Sequence, residues 1–278
     1  MSGRVTIHVD ESGTPGFGVD DDGLFVVGCV AILGDPSGIA DAWGARAPNH
    51  KGRKLTKEEM LDVAAFLATQ GVRPITSHCR LEAEDQEQAR TKAAALEARL
   101  HSQGGTEGVR APIYLWALQV TQTVVSASLG SLPFVFGEID SIEIHIDQFP
   151  LPLWLRPRLD RWVRRWYDPS KGFRKILDAL EEEAPGHPDI AKIRERVAIT
   201  PDQISVVWTS RGPLHKLADA VAAIYRRKLQ GEQDALEAWG VLEARYRRDG
   251  RLPACMGINL GQSIREALRR PVDAEESA

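Results

Sequence analysis

The 278-residue sequence predicts a layered domain of the α/β or α+β class, in which helices cover a β-sheet. Residues 4–10 alternate between apolar and polar side chains, as a half-buried strand does. Residues 24–33 form a continuous apolar run, whose length suits a strand buried on both faces. Residues 204–209 form a last core strand that leads into a helix, which Pro213 opens where its missing N–H costs nothing.

The segments between these strands predict further helices and two more strands. Residues 35–54 resemble a loop, and Thr56 with Glu59 three residues later predicts a capping box at the start of a helix. Strands are expected at 72–79 and 141–149. Helices are expected at 82–103, 113–129 (apolar on all sides and therefore buried), 232–248 and 261–270, and a helical insertion at about 150–200.

Composition and charge limit the classes of protein to consider. The formal net charge is -4, so a nucleic-acid site must be a local basic patch rather than the whole surface. The three cysteines lack zinc-site spacing and are expected to be free thiols in a reducing compartment. The N-terminus lacks a signal-peptide pattern, and no apolar run approaches the ~18 residues that span a bilayer. We therefore expect a soluble cytoplasmic protein that does not enter a membrane.

Two strands carry a matching polar pattern. Residues 7–11 are Ile-His-Val-Asp-Glu and residues 144–148 are Ile-His-Ile-Asp-Gln. If these strands are parallel neighbours, Asp10 and Asp147 project from the same face at the same carboxyl ends, where open sheets bind ligands. Neighbouring carboxylates repel unless a cation or a shared proton lies between them, and oxygen ligands suit Mg²⁺ or Mn²⁺. The alternative is that both are ordinary solvated strand-end aspartates. His8 and His145 are expected to pack beneath the site or to hydrogen-bond a ligand.

Asp219 is a third candidate carboxylate, on the helix that begins at Pro213. It lies one step off that helix's apolar stripe, and aspartate is a poor residue for a helix interior. Ala222 and Ala223 leave room for the helix to approach the sheet closely. A surface aspartate paired with Arg226 is the alternative.

Together these residues resemble a known family. Asp10-Glu11-Ser12-Gly13 closing a first strand, the apolar strand with Gly28, the strand ending at Asp147 and the helix with Leu217-Ala218-Asp219 resemble the family filed as domain of unknown function 3800, over roughly residues 4–230. The resemblance implies an α/β fold with a ribonuclease-H-like mixed sheet flanked by helices. We expect one domain over 1–270, with the insertion, and a flexible acidic tail at 271–278.

The resemblance also implies an acidic cluster. Asp10, Asp147 and Asp219 would be the metal ligands for Mg²⁺ or Mn²⁺, and Glu11 is a candidate for a fourth catalytic acid. Ribonuclease-H-like enzymes usually take an acid from a helix as well, for which the candidates here are Glu58, Glu59, Glu84 and Glu87. A regular strand would turn Glu11 away from Asp10, whereas a bulge at Ser12-Gly13 would swing it inward. The chain departs from the family at His215-Lys216, where a glutamine is common.

Several basic residues are candidate contacts to a nucleic-acid backbone. Lys51 and Lys54 precede the first helix, and Arg226 follows Asp219. Residues 154–175 are rich in arginine and tryptophan, and arginine neutralises phosphates while aromatic rings stack on bases. Ordinary solvated lysines, and arginines on the wet face of a packed helix, are the alternatives. The arginines proposed to bind are Arg161, Arg164 and Arg165.

These residues and the resemblance lead to two candidate functions. The first is a divalent-metal-dependent nuclease, a phosphodiester hydrolase acting on DNA or RNA through two-metal chemistry. The second is a non-catalytic ribonuclease-H-like module that binds nucleic acid or a protein partner in a mobile-element or defence system. The sequence lacks the GxSxG, HExxH and P-loop motifs of other hydrolases.

Overall fold

The fold is taken from a computed structural model. It describes residues 3–13, 23–46, 52–102, 111–127, 132–137, 139–147, 156–166, 178, 181–182, 185–186, 191, 199–209, 212–248 and 256–269.

A mixed six-stranded sheet forms the centre of the described chain. Its strands are β1 (Gly3–Ser12), β2 (Leu24–Leu33), β3 (Val72–Arg80), β4 (Ile139–Asp147), β5 (Ile204–Thr209) and β6 (Met256–Asn259), and their order across the sheet is β5-β4-β1-β2-β3-β6. The first three strands form an antiparallel meander. The other strands pair in parallel, β4 with β1, β5 with β4 and β6 with β3.

Helices cover both faces of the sheet. They are α1 (Ser37–Gly44), α2 (Lys57–Thr69), α3 (Ala83–Ser102), α4 (Ala111–Ser126), α5 (Leu132–Phe136), α6 (Arg156–Trp166), α7 (Pro213–Leu229), α8 (Gln233–Arg248) and α9 (Gly261–Arg269). Two short 3-10 helices lie at Gly52–Lys54 and Pro201–Gln203. None of the helices in the described ranges is long and apolar enough to cross a membrane.

Two hydrophobic cores result from the alternation of side chains along the strands. Val5, Ile7 and Val9 of β1 pack with α3, α4, α6 and α9 on one face. Leu24, Val26, Val30 and Ile32 of β2 pack with α1, α2, α7 and α8 on the other. Strand β2 is buried on both sides, as its apolar run predicts. On β1, by contrast, the face toward α7 carries Thr6, His8 and Asp10.

This architecture confirms the predicted α/β class with a mixed sheet flanked by helices. The capping box at Thr56 and the proline that opens α7 are also present. Two predictions need correction. Residues 35–54 include helix α1, which Trp43 anchors by complete burial. Strand β6 follows β5, which was expected to be the last strand.

Parts of the predicted domain organisation lie outside the described residues. Within the predicted helical insertion at about 150–200, the structure describes α6, a few isolated positions and residues 199–200. The predicted acidic tail, 271–278, and Lys51 also fall outside them.

Candidate functional site

The matched strands are adjacent and parallel. His8 pairs with His145 and Val9 with Ile146, so the next residues in this register are Asp10 and Asp147. The predicted pairing of the two strands in the same phase is therefore confirmed. The backbone of Asp147 also pairs with Thr209 on β5, while its side chain is outside the described part of the structure.

Asp10 lies on the α7 face at the carboxyl end of β1. Its side chain is buried, because the residue is 8% exposed. Its Oδ1 accepts a hydrogen bond from the backbone N–H of Glu11 at 2.9 Å. This bond stabilises the ionised carboxylate and fixes its orientation.

Helix α7 approaches the sheet closely beside Asp10, because Gly28 is the β2 residue that pairs with Asp10. A Cβ on Gly28 would lie 2.6 Å from the backbone nitrogen of Ala222 and 2.8 Å from the carbonyl oxygen of Ala218. Glycine on the strand and alanines on the helix are thus what lets the two backbones come together. The expectation that small residues let this helix approach the sheet is confirmed for Ala222, whereas Ala223 packs against Gly52.

Helix α7 runs alongside β1 in the same direction and brings Asp219 level with Asp10. The His215 ring contacts the His8 ring at 5.0 Å, and the Arg226 side chain reaches Gly13. From His8 to Gly13 a strand rises about 16 Å, as does a helix from His215 to Arg226. Asp219 is therefore about 6 Å beyond the His8–His215 contact, and Asp10 about 7 Å beyond it.

The carboxylate of Asp219 also contacts the 3-10 helix before α2. Its Oδ2 accepts a hydrogen bond from the Gly52 N–H at 3.0 Å. Gly52 is buried, and a Cβ there would lie 2.8 Å from the Asp219 carbonyl oxygen and 2.9 Å from Ala223 Cβ. Residues 52–54 are therefore held directly against α7 at the position of the acid.

Three histidines pack beneath the acids. The His8 and His145 rings stack at 4.5 Å, and His215 meets His8 edge-on. His145 Nε2 lies 2.5 Å from Glu143 Oε1. Burial, with the two neighbouring histidines, lowers the pKa of His8 to about 3, so this ring is neutral at ordinary pH. His8 and His145 pack under the site, as the sequence suggests.

The structure does not bring Glu11 to the same face. The β1–β2 register continues without a bulge through Ser12, so Glu11 alternates away from Asp10. Its Oε2 accepts a hydrogen bond from the indole N–H of Trp116 at 2.9 Å, on α4. Of the two orientations considered for Glu11, the structure shows the regular-strand one, in which successive side chains point to opposite faces, and not the bulge that would swing Glu11 toward Asp10.

The candidate basic residues divide between the two faces. Lys54 and Arg226 lie on the face of Asp219. Lys54 is two residues after Gly52, which bonds Asp219, and Arg226 Nε donates to Leu24 O at 3.4 Å. Helix α6 packs on the opposite face, through Leu159 and Val163. Arg161, Arg164 and Arg165 are on that helix.

Helix α6 also runs away from the carboxyl ends of the strands, where Asp10 and Asp147 lie. Arg156, at its start, lies over Trp208 near the end of β5, whereas Arg164 donates to Pro201 O before β5 begins and pairs with Asp160. The structure therefore does not bring Arg161, Arg164 and Arg165 together with the acids.

The donor set suits a hard divalent cation. Asp10 and Asp219 offer carboxylate oxygens, of the kind that Mg²⁺ and Mn²⁺ prefer, and Asp147 is next in register. Among the residues whose side chains are described, which omit that of Asp147, no group of three or more histidines, cysteines or acids is placed to hold a metal ion. Cys29 and Cys79 are buried free thiols whose pKa burial raises, to about 12 for Cys79, so neither is reactive.

No protein-family model matches the chain, and no curated protein matches it. Several solved structures do match. A chain of the PCNA:RNase HII complex from Archaeoglobus fulgidus is 12% identical over 91% of this chain and 92% of that one, with a TM-score of 0.35. A mutant protein of Bst-RNase HIII is 15% identical over 99% and 69% (TM-score 0.38), and ribonuclease H2 from Pyrococcus horikoshii OT3 is 12% identical over 96% and 100% (TM-score 0.33).

The ribonuclease-H-like α/β fold rests on the sheet itself, an antiparallel β1–β2–β3 meander extended by parallel β4 and β5.

Sequence reasoning missed two residues of the site. His215 completes the histidine cluster, and the only signal for it was its position four residues before Asp219 on the same helix face. Gly52 binds Asp219 from a segment that the sequence presents as a loop. Its partner is 167 residues away in the chain, so no local pattern could indicate it.

Proposed function

We propose that this protein is a divalent-metal-dependent nuclease of ribonuclease-H-like fold that hydrolyses phosphodiester bonds in DNA or RNA. One observation carries the proposal. Asp10 and Asp147 lie near the carboxyl ends of adjacent parallel strands in one register, and close packing of α7 on Gly28 brings Asp219 level with Asp10. Carboxylates that lie close together at the carboxyl ends of neighbouring strands repel one another unless a cation neutralises them.

The chain's own groups orient the acids for that task. The Glu11 N–H binds Oδ1 of Asp10, and the Gly52 N–H binds Oδ2 of Asp219, so each carboxylate has a fixed orientation. The bound Mg²⁺ or Mn²⁺ would activate water and stabilise the leaving oxygen of the phosphodiester. The histidines beneath the acids fill the space between the carboxylates and the core.

Cleavage assays with matched asparagine variants test the proposal. Labelled single-stranded and duplex DNA and RNA are incubated with the protein and Mg²⁺ or Mn²⁺, with a chelator as control. Asp10→Asn and Asp147→Asn are expected to abolish cleavage while the far-UV spectrum stays native. Asp140→Asn is the matched control, because this exposed residue is on β4 at the end opposite Asp147. Retained cleavage in both active-site variants would show that the acids are not catalytic.

A non-catalytic binding module is the second candidate. It is favoured by Glu11, whose carboxylate accepts a hydrogen bond from Trp116 on α4 instead of facing Asp10. Such a module, acting with a protein partner in a mobile-element or defence system, would bind nucleic acid or protein without turnover and regardless of chelator. Measurable binding of Mn²⁺ that Asp10→Asn removes would count against it.

We also propose membership of the domain of unknown function 3800 family. The support is the position of its motif residues: Asp10 at the end of β1, Gly28 facing Ala218 and Ala222, and Asp219 beside them. These are the positions at which the resemblance predicts an acidic site.

A further inference from the structure

We propose that Lys54 and Lys216 form a two-lysine clamp that binds phosphates of a nucleic-acid strand on either side of Asp219. The inference rests on the proposed function for the identity of its ligand. It adds a binding residue, Lys216, that the sequence offered only as a departure from the family, and it gives Gly52 a positioning role.

The two lysines flank Asp219 along α7. Lys216 is three residues before Asp219, a spacing that makes side chains neighbours on a helix surface. On the other side, Gly52 bonds Asp219, and Leu55 O accepts a hydrogen bond from Arg227 Nη1 at 2.7 Å. The chain from Gly52 to Leu55 therefore runs along α7 away from Lys216, and it carries Lys54 with it.

The segment that carries Lys54 is rigidly held. Gly52 has no space for a Cβ against α7, and Leu55 is 4% exposed in the hydrophobic core. Lys54 itself is exposed. A fixed backbone with a solvated ammonium group is the arrangement expected of a group that awaits a phosphate, because little backbone entropy is lost when the phosphate binds.

Neither lysine has a structural task within the described residues. Both are exposed, and neither forms an ion pair with another described residue. Other cations nearby do: Lys57 pairs with Glu237, Arg227 with Glu232 and Lys228 with Glu243. Lys216 is moreover in an N-terminal turn without acidic residues, where the helix dipole disfavours a cation. An anionic ligand would remove that penalty.

The geometry suits a polymer better than a single phosphate. Gly52 bonds Asp219 and the Arg227 side chain reaches Leu55, so Lys54 lies between these two contacts, whereas Lys216 precedes Asp219 on α7. A strand bound to both lysines would therefore pass Asp219. The clamp would then place a backbone phosphate at the acids and hold its neighbours on both sides.

The salt dependence of binding tests the clamp. Fluorescein-labelled single-stranded DNA, single-stranded RNA and their duplexes are titrated with the full chain in chelator, so that no turnover occurs, at salt concentrations from about 50 to about 200 mM. Each lysine–phosphate contact contributes roughly 0.7–0.9 to the slope of log K against log salt. Lys54→Ala and Lys216→Ala are each expected to lower the slope by about that amount, and the double variant by about twice as much.

Two further variants complete the design. Arg269→Ala removes the same charge from an exposed site on the opposite face of the sheet, and should leave the slope unchanged. Gly52→Ala displaces the segment while keeping every charge, so it should lower the slope as Lys54→Ala does. Gly38→Ala, at a glycine with open space around it, is its control.

The outcomes separate the clamp from the nuclease. Unchanged slopes in the lysine variants, equal losses in Arg269→Ala, or no binding to any probe would overturn the clamp, even if the protein cleaves. Lower slopes without metal-dependent cleavage would keep the clamp and reject the nuclease. The DNA and RNA probes identify which backbone is preferred.

Discussion

At Gly28 a single missing side chain determines how near helix α7 lies to the strand that carries Asp10. An added Cβ would lie 2.7 Å from the Cβ of Ala222 and 2.6 Å from its backbone nitrogen, distances that real Cβ atoms do not show. Since neither backbone can bend away cheaply, the helix would have to move. Asp219 is on that helix, so the packing of Gly28 and the geometry of the acids are linked.

Gly28→Ala is therefore expected to lower the free energy of unfolding by about 1–3 kcal/mol, as overpacking does. It should also weaken Mn²⁺ binding, because α7 carries Asp219 away from Asp10. Urea unfolding and calorimetric Mn²⁺ titration measure the two effects. Gly240→Ala is the control: nothing lies within 4 Å of that site on α8, and alanine there should stabilise by about 0.5–1 kcal/mol. Equal stability of Gly28→Ala and the native protein would contradict the close packing.

His8 gives stability a dependence on pH. In the unfolded chain it takes up a proton below about pH 6.5, whereas in the fold its pKa is about 3. The free energy of unfolding should therefore fall as the pH drops from about 6.5 toward 3, by up to about 1.4 kcal/mol per unit, and show no such contribution above that range.

His8→Asn should remove this part of the acid sensitivity, and urea unfolding at a series of pH values measures it. His101→Asn, at an exposed histidine on α3, is the control and should keep the native pH profile. If His8→Asn and the native protein lose stability in parallel below about pH 6.5, the burial of a neutral His8 is not the cause.

At the level of single residues, the sequence predicts what depends on strand periodicity and misses what depends on distant contacts. Asp10 and Asp147 could be matched because two strands repeat the same alternation, and a period of two fixes the face of each side chain. The same rule predicts that Glu11 points away from Asp10, although the family resemblance favours Glu11 as a catalytic acid. His215 and Gly52 come from segments that meet these strands only in the folded chain, so no local pattern identifies them.

At the level of elements, helix α2 begins with a complete capping box. Thr56 Oγ1 accepts from Glu59 N at 3.3 Å, and Glu59 Oε2 accepts from Thr56 N at 2.7 Å. Both bonds satisfy N–H groups that have no partner within the helix. Helix α2 packs on α7 and α8 through Met60, Val63 and Leu67, so its first turn supports the segment that carries Lys54.

Thr56→Ala should lower the free energy of unfolding by about 1 kcal/mol, as the loss of an N-cap does. Thr91→Ala on α3 is the matched control. That exposed hydroxyl bonds the Glu87 carbonyl of its own helix, and alanine is the better helix former. Chemical unfolding of both variants makes the comparison. A loss in Thr91→Ala as large as that in Thr56→Ala would show that the cap has no special effect.

Helix α1 and strand β6 escaped prediction for physical reasons, as did the five-residue helix α5. Helix α1 has eight residues between Pro36 and the following turn, and it depends on Trp43, which is fully buried among helices distant in sequence. Strand β6 has four residues and pairs at the edge with β3 alone, so it shows no alternation long enough to recognise. Short elements of this kind are stabilised by tertiary packing, whereas longer ones such as β2 and α7 can be recognised from their own sequence.

The molecule as a whole separates its charged features between the faces of one sheet. Asp10, Asp219, the histidines, Lys54 and Lys216 are on the α7 face, whereas the arginines of α6 are on the other. A nucleic acid at the acids would therefore be held by the lysines of α7 and of the segment before α2. The net charge of -4 agrees with such a local patch.

The most direct measurement of the central claim is the anomalous scattering of a crystal soaked in Mn²⁺. We expect one or two Mn²⁺ ions within about 2.5 Å of carboxylate oxygens of Asp10, Asp147 and Asp219 together, and no peak at those positions in a crystal of Asp10→Asn. The ions should not contact Glu11. The absence of Mn²⁺ at the three aspartates, above all in a crystal that binds Mn²⁺ at another site, would contradict the account.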